Sequence, residues 1–374
     1  HGVNVPSNTA SYVTGAAGNP SGAYTYKFVN VNSASVRGNP SSASTTITVA
    51  STKIELTSIP VAPQSHGVSS REIYRTVTSG STWFLLTTLN DNTTTTYSDN
   101  TADASLGAAA PSDKGLPPNY STIIYHQNRL FMNDGSNGQL VWYTDLNEPY
   151  TVGALSFLTI GDGSTDLVKG FGVQDSNLVV FGERNIWIVY MPDTTVSNWK
   201  IVKANASYSS KSPYGIFNYN NKLAYPAMQN DKFVGIAALA GGTQEPTTTY
   251  LTMLAAGGET KSDRVETDMF DVQESYVGNI SSIVFQNKAY IALTKDSPNT
   301  TNNYVYVMDF SIDNISKKQR EAWSPWTGLN AAQFVIHNGS LYYGTSTATG
   351  FIYQENVGVY SDDGTAINSY YWTK

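Results

Sequence analysis

Carboxylates are the side chains of this sequence best suited to acid-base chemistry. Six stand close to turn signals or strand ends: Asp162, Asp166, Asp175, Glu183, Asp268 and Asp309. Glycoside hydrolysis needs only two carboxylates at a set separation, so it is a candidate activity for this sequence. No repeated spacing directs several of these carboxylates, or the few arginines, toward one axis. A glycoside hydrolase is therefore the least favoured interpretation.

The sequence gives little support for nucleophilic catalysis or metal binding. The four histidines, His1, His66, His126 and His337, are far apart, and His126 and His337 occupy equivalent turn positions. Because there is no cysteine, disulfides, thiolate nucleophiles and cysteine-based zinc sites are excluded. No Gly-x-Ser-x-Gly elbow supports a serine nucleophile. We predict no catalytic, cofactor-binding or metal-binding residue, and a protein that is not an enzyme.

A loop and a set of aromatic residues could each bind a ligand, but each also has a purely structural interpretation. Gly161–Asp166 alternates oxygen-bearing residues like part of a calcium loop, but it lacks the bidentate glutamate that completes an EF-hand, so a connecting loop is favoured. The aromatic residues Tyr208, Tyr214, Tyr219, Trp323 and Trp326 could stack on sugars. For the two tryptophans we favour packing at a sheet edge.

Charge and hydropathy exclude other classes. Charged residues make up 14% of the 374-residue chain and the net charge is -7, which argues against a surface that neutralises many phosphates. The short basic run Lys317–Arg320 is typical of a solvated turn. No apolar stretch reaches the roughly 20 residues of a membrane helix, and the N-terminus lacks a signal-like apolar core. The start at His1 favours a processed or recombinant fragment.

Strand signals dominate the first hundred residues. Thr, Val, Ile and Tyr are abundant and alternate with turn residues, a composition typical of a pleated sheet. Short strands are predicted over 24–31, 45–49, 54–59, 72–76, 84–89 and 95–97. Residues 71–76 and 83–86 predict a hairpin across Gly80. Such closely spaced strands indicate a small β-sandwich, to which we assign residues 1–110.

The pattern changes at residues 111–118. Alanine and glycine precede Pro111, and Pro117 and Pro118 follow it, while apolar alternation disappears. This composition predicts a linker.

Beyond the linker, one local pattern recurs five times: an apolar approach, a tight turn with asparagine, and an apolar exit. The asparagines are Asn128, Asn177, Asn221, Asn287 and Asn338, separated by 49, 44, 66 and 51 residues. Asparagine tolerates the left-handed conformation that a two-residue hairpin turn requires. The spacing is close to the roughly 40–50 residues of a propeller blade. The longest interval contains Gly241–Lys261, which we interpret as an inserted loop or strand pair.

In four units a second strand pair follows the turn, at 139–143, 185–190, 232–238 and 304–310, and a shorter one follows at 350–353 in the fifth. Two hairpins make a four-stranded blade, and blades bury their faces only by stacking around an axis. The predicted fold class is therefore all-β: a small sandwich followed by a β-propeller of about five blades over residues 119–374.

Several segments resemble those of a known family. Gly22–Tyr26, Arg71–Thr76 and Asn90–Asp99 are similar to fibronectin-type-III-like modules of bacteriophage tail proteins. Asn128–Phe131, Tyr143–Pro149, Leu178–Ile186 and Trp323–Gly328 resemble the propeller of nozzle-like, tail tube-terminating proteins. The resemblance implies a fibronectin-III-like sandwich and a noncatalytic virion component that assembles around the tail channel.

The expected function is thus subunit assembly in a bacteriophage tail, with localisation in the virion after synthesis in the host cytoplasm. The expected partners are other tail proteins and copies of the chain in a ring, with heterologous contacts. No membrane partner is expected, and nucleic acid only as cargo passing through a channel. The alternatives are a carbohydrate-binding receptor module, which would make a glycan the partner, and the glycoside hydrolase. No cofactor is expected.

Overall fold

The protein is described from a computed structural model covering residues 3–161, 166–204, 208–219, 222–240, 250–253, 271–311, 322–327, 329–346, 350–355, 361–362 and 365–366. In these ranges the chain is almost entirely β. The strands are β1 Ser11–Ala17, β2 Gly22–Tyr24, β3 Tyr26–Asn32, β4 Ile47–Val49, β5 Thr52–Thr57, β6 Val68–Thr76, β7 Trp83–Leu89, β8 Tyr97–Asp99, β9 Ile123–His126, β10 Arg129–Asn133, β11 Leu140–Tyr143, β12 Phe157–Thr159, β13 Val168–Gln174, β14 Asn177–Gly182, β15 Ile186–Tyr190, β16 Lys200–Lys203, β17 Phe217–Tyr219, β18 Lys222–Gln229, β19 Lys232–Ala240, β20 Tyr250–Met253, β21 Ser281–Phe285, β22 Lys288–Leu293, β23 Tyr304–Asp309, β24 Ala322–Thr327, β25 Ala331–His337, β26 Ser340–Thr345, β27 Ile352–Gln354, β28 Ser361–Asp362 and β29 Thr365–Ala366. Short 3-10 helices span Gln64–His66, Asp103–Ser105, Val196–Asn198 and Glu274–Asn279.

The chain forms two compact units. Unit 1 comprises His1–Ser121 with Tyr125–Thr159, and unit 2 comprises Thr122–Ile124 with Ile160–Lys374. The all-β class is confirmed, in the form of several small antiparallel sheets.

Unit 1 begins with two three-stranded sheets, ordered β1-β5-β8 and β3-β6-β7, and a two-stranded sheet β2-β4. Alternate residues of β3 point to one side, so Tyr26 and Phe28 are both fully buried. They join Ile54, Leu56 and Ile73 in one apolar cluster that contains residues from both three-stranded sheets. These two sheets therefore share a single core.

Strand β1 has no counterpart among the strands predicted from sequence, because its residues show no apolar alternation. It nonetheless pairs with β5, from Ser11 opposite Thr57 to Ala17 opposite Thr52. Most of its side chains are exposed or half-buried, which explains the missing signal.

Beyond residue 118, each sheet is a meander whose strands lie in chain order. Four-stranded sheets contain β9–β12, β13–β16, β17–β20 and β21–β24, and a three-stranded sheet contains β25–β27. The predicted insertion Gly241–Lys261 contributes β20, which pairs with β19. Its residues 241–249 and 254–261 lie outside the described part of the chain.

The hairpin turns confirm most of the asparagine prediction. The pairs Gln127–Asn128 and Gln286–Asn287 have positive φ at both residues, as a two-residue primed turn requires, and Asn338 is left-handed before Gly339. The second turn was misplaced by one residue, because Asp175 and Ser176 form its tip and Asn177 begins β14. Asn221 lies outside the described residues.

Apolar clusters connect successive sheets of unit 2 face to face. Val179 and Ile188 of the β13–β16 sheet pack with Tyr225 of the β17–β20 sheet. A second cluster joins the β17–β20 sheet to Ile291 and neighbours in the β21–β24 sheet. A third joins that sheet to Tyr343 and neighbours in the β25–β27 sheet. These four consecutive sheets thus form a stack.

Candidate interaction surfaces and the buried polar network

The most elaborate polar cluster lies in unit 1 around Arg75, a fully buried residue of β6. Its Nη1 donates to Asp99 Oδ2 at 2.7 Å and its Nη2 donates to Asp103 Oδ1 at 2.8 Å. The Tyr26 hydroxyl donates to the same Asp99 Oδ2 at 2.8 Å. The guanidinium also lies over the ring of Tyr24, 4.6 Å from its centroid. The buried Asp99 carboxylate therefore has two strong donors.

Electrostatics fix the charge states in this cluster. Burial is the largest single influence and would lower the pKa of Arg75, but the interactions with Asp99, Tyr26 and Asp103 together raise it overall. Burial, followed by the Asp99 charge, raises the pKa of Tyr26 far above its ordinary value. Tyr26 thus remains a neutral donor and Arg75 a cation across the physiological range.

Arg71, four residues earlier on the same side of β6, holds a loop in place. It is also fully buried, and it donates to the carbonyls of Pro60 at 2.6 Å and Thr94 at 2.7 Å. Its Nη2 lies 3.2 Å from Asp91 Oδ1. The Thr94 hydroxyl, with the Thr94 and Thr93 amides, holds the pKa of Asp91 well below its ordinary value.

The opposite side of β6 carries a third group. Arg37 donates through Nε and Nη2 to the Glu72 carboxylate at 2.8 and 2.7 Å, a bidentate pair. The Tyr74 hydroxyl donates to Glu72 Oε2 at 2.6 Å. Hydrogen bonding to Glu72 is the main cause that raises the pKa of Arg37. In all three groups the charged atoms bond to neighbouring protein groups, so the arrangement fits cross-linking of the sheets and loops of unit 1 better than substrate chemistry.

The predicted linker forms ion pairs and a β-bridge with other residues of unit 1. Lys114 Nζ lies 2.6 Å from Asp145 Oδ2 and 2.7 Å from Glu148 Oε2. Burial would lower the pKa of Lys114, but these two carboxylates raise it overall. Gly115 pairs with Val152 in an isolated antiparallel bridge. Residues 113–115 therefore contact residues 145–154 of the same unit.

The candidate carboxylates have separate structural roles. Asp166 is buried and accepts from the Arg184 amide at 2.8 Å and from Asn185 Nδ2 at 2.7 Å, closing the β14–β15 turn. Glu183, at the same turn, pairs instead with Lys169 at 2.8 Å. Asp175 forms a hairpin tip, and Asp309 Oδ1 accepts from the Ser311 amide at 2.9 Å. Asp162 and Asp268 lie outside the described residues, as do residues 163–165 of the predicted calcium-like loop.

The histidines are dispersed. His66 ends a 3-10 helix in unit 1, His126 ends β9, and His337 ends β25 with its ring 6.3 Å from that of Tyr342. His1 and the basic run Lys317–Arg320 lie outside the described residues. Within the described ranges, no group of three or more His, Asp or Glu side chains could hold a metal ion.

The two tryptophans pack, as expected. Trp323 contacts the cluster between the β17–β20 and β21–β24 sheets and meets Tyr306 edge-on at 6.5 Å. Trp326 packs in the next cluster and meets Tyr290 at 5.8 Å. Three residues apart on one strand, they serve opposite faces of the same sheet.

The tyrosines differ in exposure. Tyr208 packs partly against the cluster beside Tyr225. Tyr214 is 47% exposed, and the side chain of Tyr219 is outside the described set. The sequence singled out neither Tyr120 nor Tyr125, the second of which is 65% exposed with its hydroxyl 2.7 Å from Asn128 Oδ1.

Exposed apolar side chains mark further surfaces. Leu155 lies at the tip of a turn in unit 1, where Asp113 Oδ1 accepts from the adjacent Ala154 amide. In unit 2, Phe351 is 63% and Ile352 74% exposed, at and just before β27. Such residues are candidates for contact with another macromolecule.

Within the described ranges, no helix is both long and apolar enough to span a bilayer.

No protein-family profile and no curated protein matches this chain. Solved structures give weak likenesses. An exported protein of Bacteroides fragilis matches 73% of this chain and 76% of its own at 10% identity and a TM-score of 0.31. PorZ, a surface component of the type-IX secretion system of Porphyromonas gingivalis, matches 95% of this chain at 10% identity and a TM-score of 0.34. The match spans 40% of the PorZ chain. The dihydro-heme d1 dehydrogenase NirN matches 93% of this chain and 69% of its own at 9% identity and a TM-score of 0.33. Likenesses at this level carry no conclusion about function.

Proposed function

We propose that the protein is a noncatalytic structural component of a bacteriophage tail that mediates subunit assembly around the tail channel. In this proposal residues 1–110 form a fibronectin-III-like sandwich, residues 111–118 connect the domains, and residues 119–374 form a propeller of about five blades. The chain would reside in the virion and contact other tail proteins and copies of itself.

The stack of sheets in unit 2 is the observation that carries this proposal. Each sheet is a meander of consecutive strands, and each shares an apolar cluster with the next. Radial repetition of such sheets is the construction principle of a propeller. Tyr214, before β17, pairs in parallel with Ser281 at the start of β21, which places the first strands of successive sheets side by side. The stack of unit 2 has four sheets, and our proposal takes the β9–β12 sheet, most of which belongs to unit 1, as the fifth blade.

The sandwich proposal is supported by the shared core of unit 1. Two three-stranded sheets bury aromatic and β-branched residues in one cluster, as a β-sandwich does. The fibronectin-like class rests on the resemblance of Arg71–Thr76 and Asn90–Asp99. In the structure these segments supply Arg71, Arg75, Asp91 and Asp99 to the buried polar network.

Purified virions test the proposal. An antibody raised against the full chain should label the tail in immunogold micrographs, and peptides of the chain should appear in the virion digest. Preincubation with the free chain should remove the label. Presence of the chain only in the host lysate, outside the particles, would contradict the proposal.

A carbohydrate-binding module is the second candidate, because Tyr125 presents a largely exposed ring beside an asparagine amide. A glycan array with the full chain separates the candidates. Binding that Tyr125→Ala abolishes and Tyr125→Phe retains would favour the receptor. Turnover of a glycoside, lost on changing one carboxylate, would overturn both noncatalytic candidates.

A further inference from the structure

The two outer edges of the β3-β6-β7 sheet in unit 1 are covered in different ways. At the β3 edge, the Ser41 and Ser44 amides donate to the carbonyls of Phe28 at 2.8 Å and Tyr26 at 2.9 Å. The side chains of the same serines also take part, because Ser41 Oγ accepts from the Phe28 amide at 3.0 Å and Ser44 Oγ from the Tyr26 amide at 2.9 Å. Ser41 is fully buried. Main chain and side chains therefore both hold this cover in place.

The β7 edge is covered by residues 107–110, which we call the strap. Three main-chain hydrogen bonds join the strap to β7: from the Gly107 amide to the Leu85 carbonyl at 2.7 Å, from the Leu85 amide to the Ala108 carbonyl at 2.8 Å, and from the Ala110 amide to the Trp83 carbonyl at 2.8 Å. The sequence of the strap is Gly-Ala-Ala-Ala, and these side chains can form no hydrogen bond. The strap is therefore hydrogen-bonded to β7 through its main chain alone.

The strap also buries little apolar surface. Residues 107–109 are exposed, and Ala110 is half-buried. Segments with few buried apolar contacts and solvent-exposed backbone hydrogen bonds open locally at a lower free energy than the core strands beside them. We therefore expect the strap to open more readily than the serine cover at the β3 edge.

Both ends of the strap are anchored by contacts outside it. Before the strap, Asp103 Oδ2 accepts from the Thr78 amide at 2.8 Å, and Asp103 Oδ1 accepts from Arg75 at 2.8 Å. After the strap, Asn39 Oδ1 accepts from the Lys114 amide at 2.6 Å. None of these bonds involves residues 107–110. The strap can therefore leave β7 while the chain on either side of it stays in place.

From this contrast we propose that the strap is a movable cover, which opens and recloses over the β7 edge while its two ends remain anchored. Opening frees the Leu85 amide, the Leu85 carbonyl and the Trp83 carbonyl, so β7 then has an unpaired edge. Unpaired edges accept strands of other chains, and a closed strap prevents this. The strap thus controls when the β7 edge is accessible. This property of unit 1 does not depend on the proposed location in a virion.

Hydrogen exchange of the full chain, followed residue by residue by NMR, tests the proposal. The Gly107, Ala110 and Leu85 amides should have similar protection factors, because one opening event exposes all three. These protection factors should be at least about tenfold lower than those of the Ser41 and Ser44 amides. The comparison is matched, since both sets of amides form main-chain hydrogen bonds at an edge of the same sheet.

A disulfide that closes the strap gives the second measurement. Phe84 and Ala109 face each other in an antiparallel bridge, and the main-chain bonds lie on either side of this pair. The Cα atoms of such a non-hydrogen-bonded pair are about 4.5 Å apart. This separation is within the roughly 4.4–6.8 Å that a disulfide spans. The variant is Phe84→Cys with Ala109→Cys, and the unmodified chain has no cysteine that could interfere.

The reduced form of the same variant is the matched control. Oxidation should slow exchange of the Gly107, Ala110 and Leu85 amides at least about tenfold and leave the Ser41 and Ser44 amides unchanged. Circular dichroism of both forms should show that the variant is folded, and if it is not, the unmodified chain alone decides. Equal protection at the two edges of the unmodified chain would overturn the proposal. Exchange of the three strap and β7 amides that the disulfide does not slow would also overturn it.

Discussion

The two three-stranded sheets of unit 1 and the sheet stack of unit 2 both pack through apolar clusters, but unit 1 also has buried charged links between its sheets. In unit 1, the side chains of Arg71 and Arg75 on β6 point into the interior, and both are fully buried among carbonyls and carboxylates. In the stack, the contacts between sheets are formed by apolar side chains such as Ile291 and Tyr343. Unit 1 therefore adds a few specific ionic links to its apolar core, whereas the described contacts between the sheets of unit 2 are mainly apolar.

Loss of the buried ion pair between Arg75 and Asp99 should produce the largest decrease in the free energy of unfolding. We expect Arg75→Met to lower the free energy of unfolding by about 3–5 kcal/mol, because Asp99 is then buried with its cation removed. Urea denaturation measures the change. Lys232→Met, which removes the exposed pair with Glu274, is the control and should cost about 0.2–1 kcal/mol. An equal loss in the free energy of unfolding for the two variants would contradict the larger contribution assigned to the buried ion pair.

Replacement of a buried tyrosine by phenylalanine should change the free energy of unfolding in opposite directions in the two units. Tyr26→Phe removes a hydrogen bond to a buried carboxylate and should cost about 1.5–3 kcal/mol. The hydroxyl of Tyr225 is buried without a hydrogen-bond partner among the described residues, so Tyr225→Phe should stabilise by about 1 kcal/mol. Thermal and urea unfolding of the two variants give both values. Destabilisation by Tyr225→Phe would show that its hydroxyl has a partner.

The smallest expected effect depends on pH. The folded-state pKa of Asp91 is lowered, so its contribution is present above the ordinary value of 3.8 and is lost as pH falls from there toward the folded pKa. We expect Asp91→Asn to be less stable than the unmodified chain at pH 7. The difference should shrink when urea unfolding is measured below pH 4. A difference that stays constant with pH would contradict this assignment.

The hairpin turns were predictable because they depend on local chemistry. A primed turn requires positive φ at adjacent residues, and residues such as Asn128, Asn287 and Asn338 tolerate it. The strands that follow them alternate clearly enough to be found within one or two residues.

The polar network was not predictable, because its partners are brought together by sheet register. Asp99 lies 24 residues from Arg75, and only the packing of the two sheets brings them together. The network has no periodic signal, whereas Gly161–Asp166 and the six carboxylates suggested sites by composition alone.

A reconstruction of an intact particle by electron microscopy tests the central proposal most directly. It should contain several copies of the chain around the tail channel, each with its five sheets arranged side by side in a closed wheel. Sheets arranged in an open row, or particles whose tail density leaves no place for the chain, would contradict it.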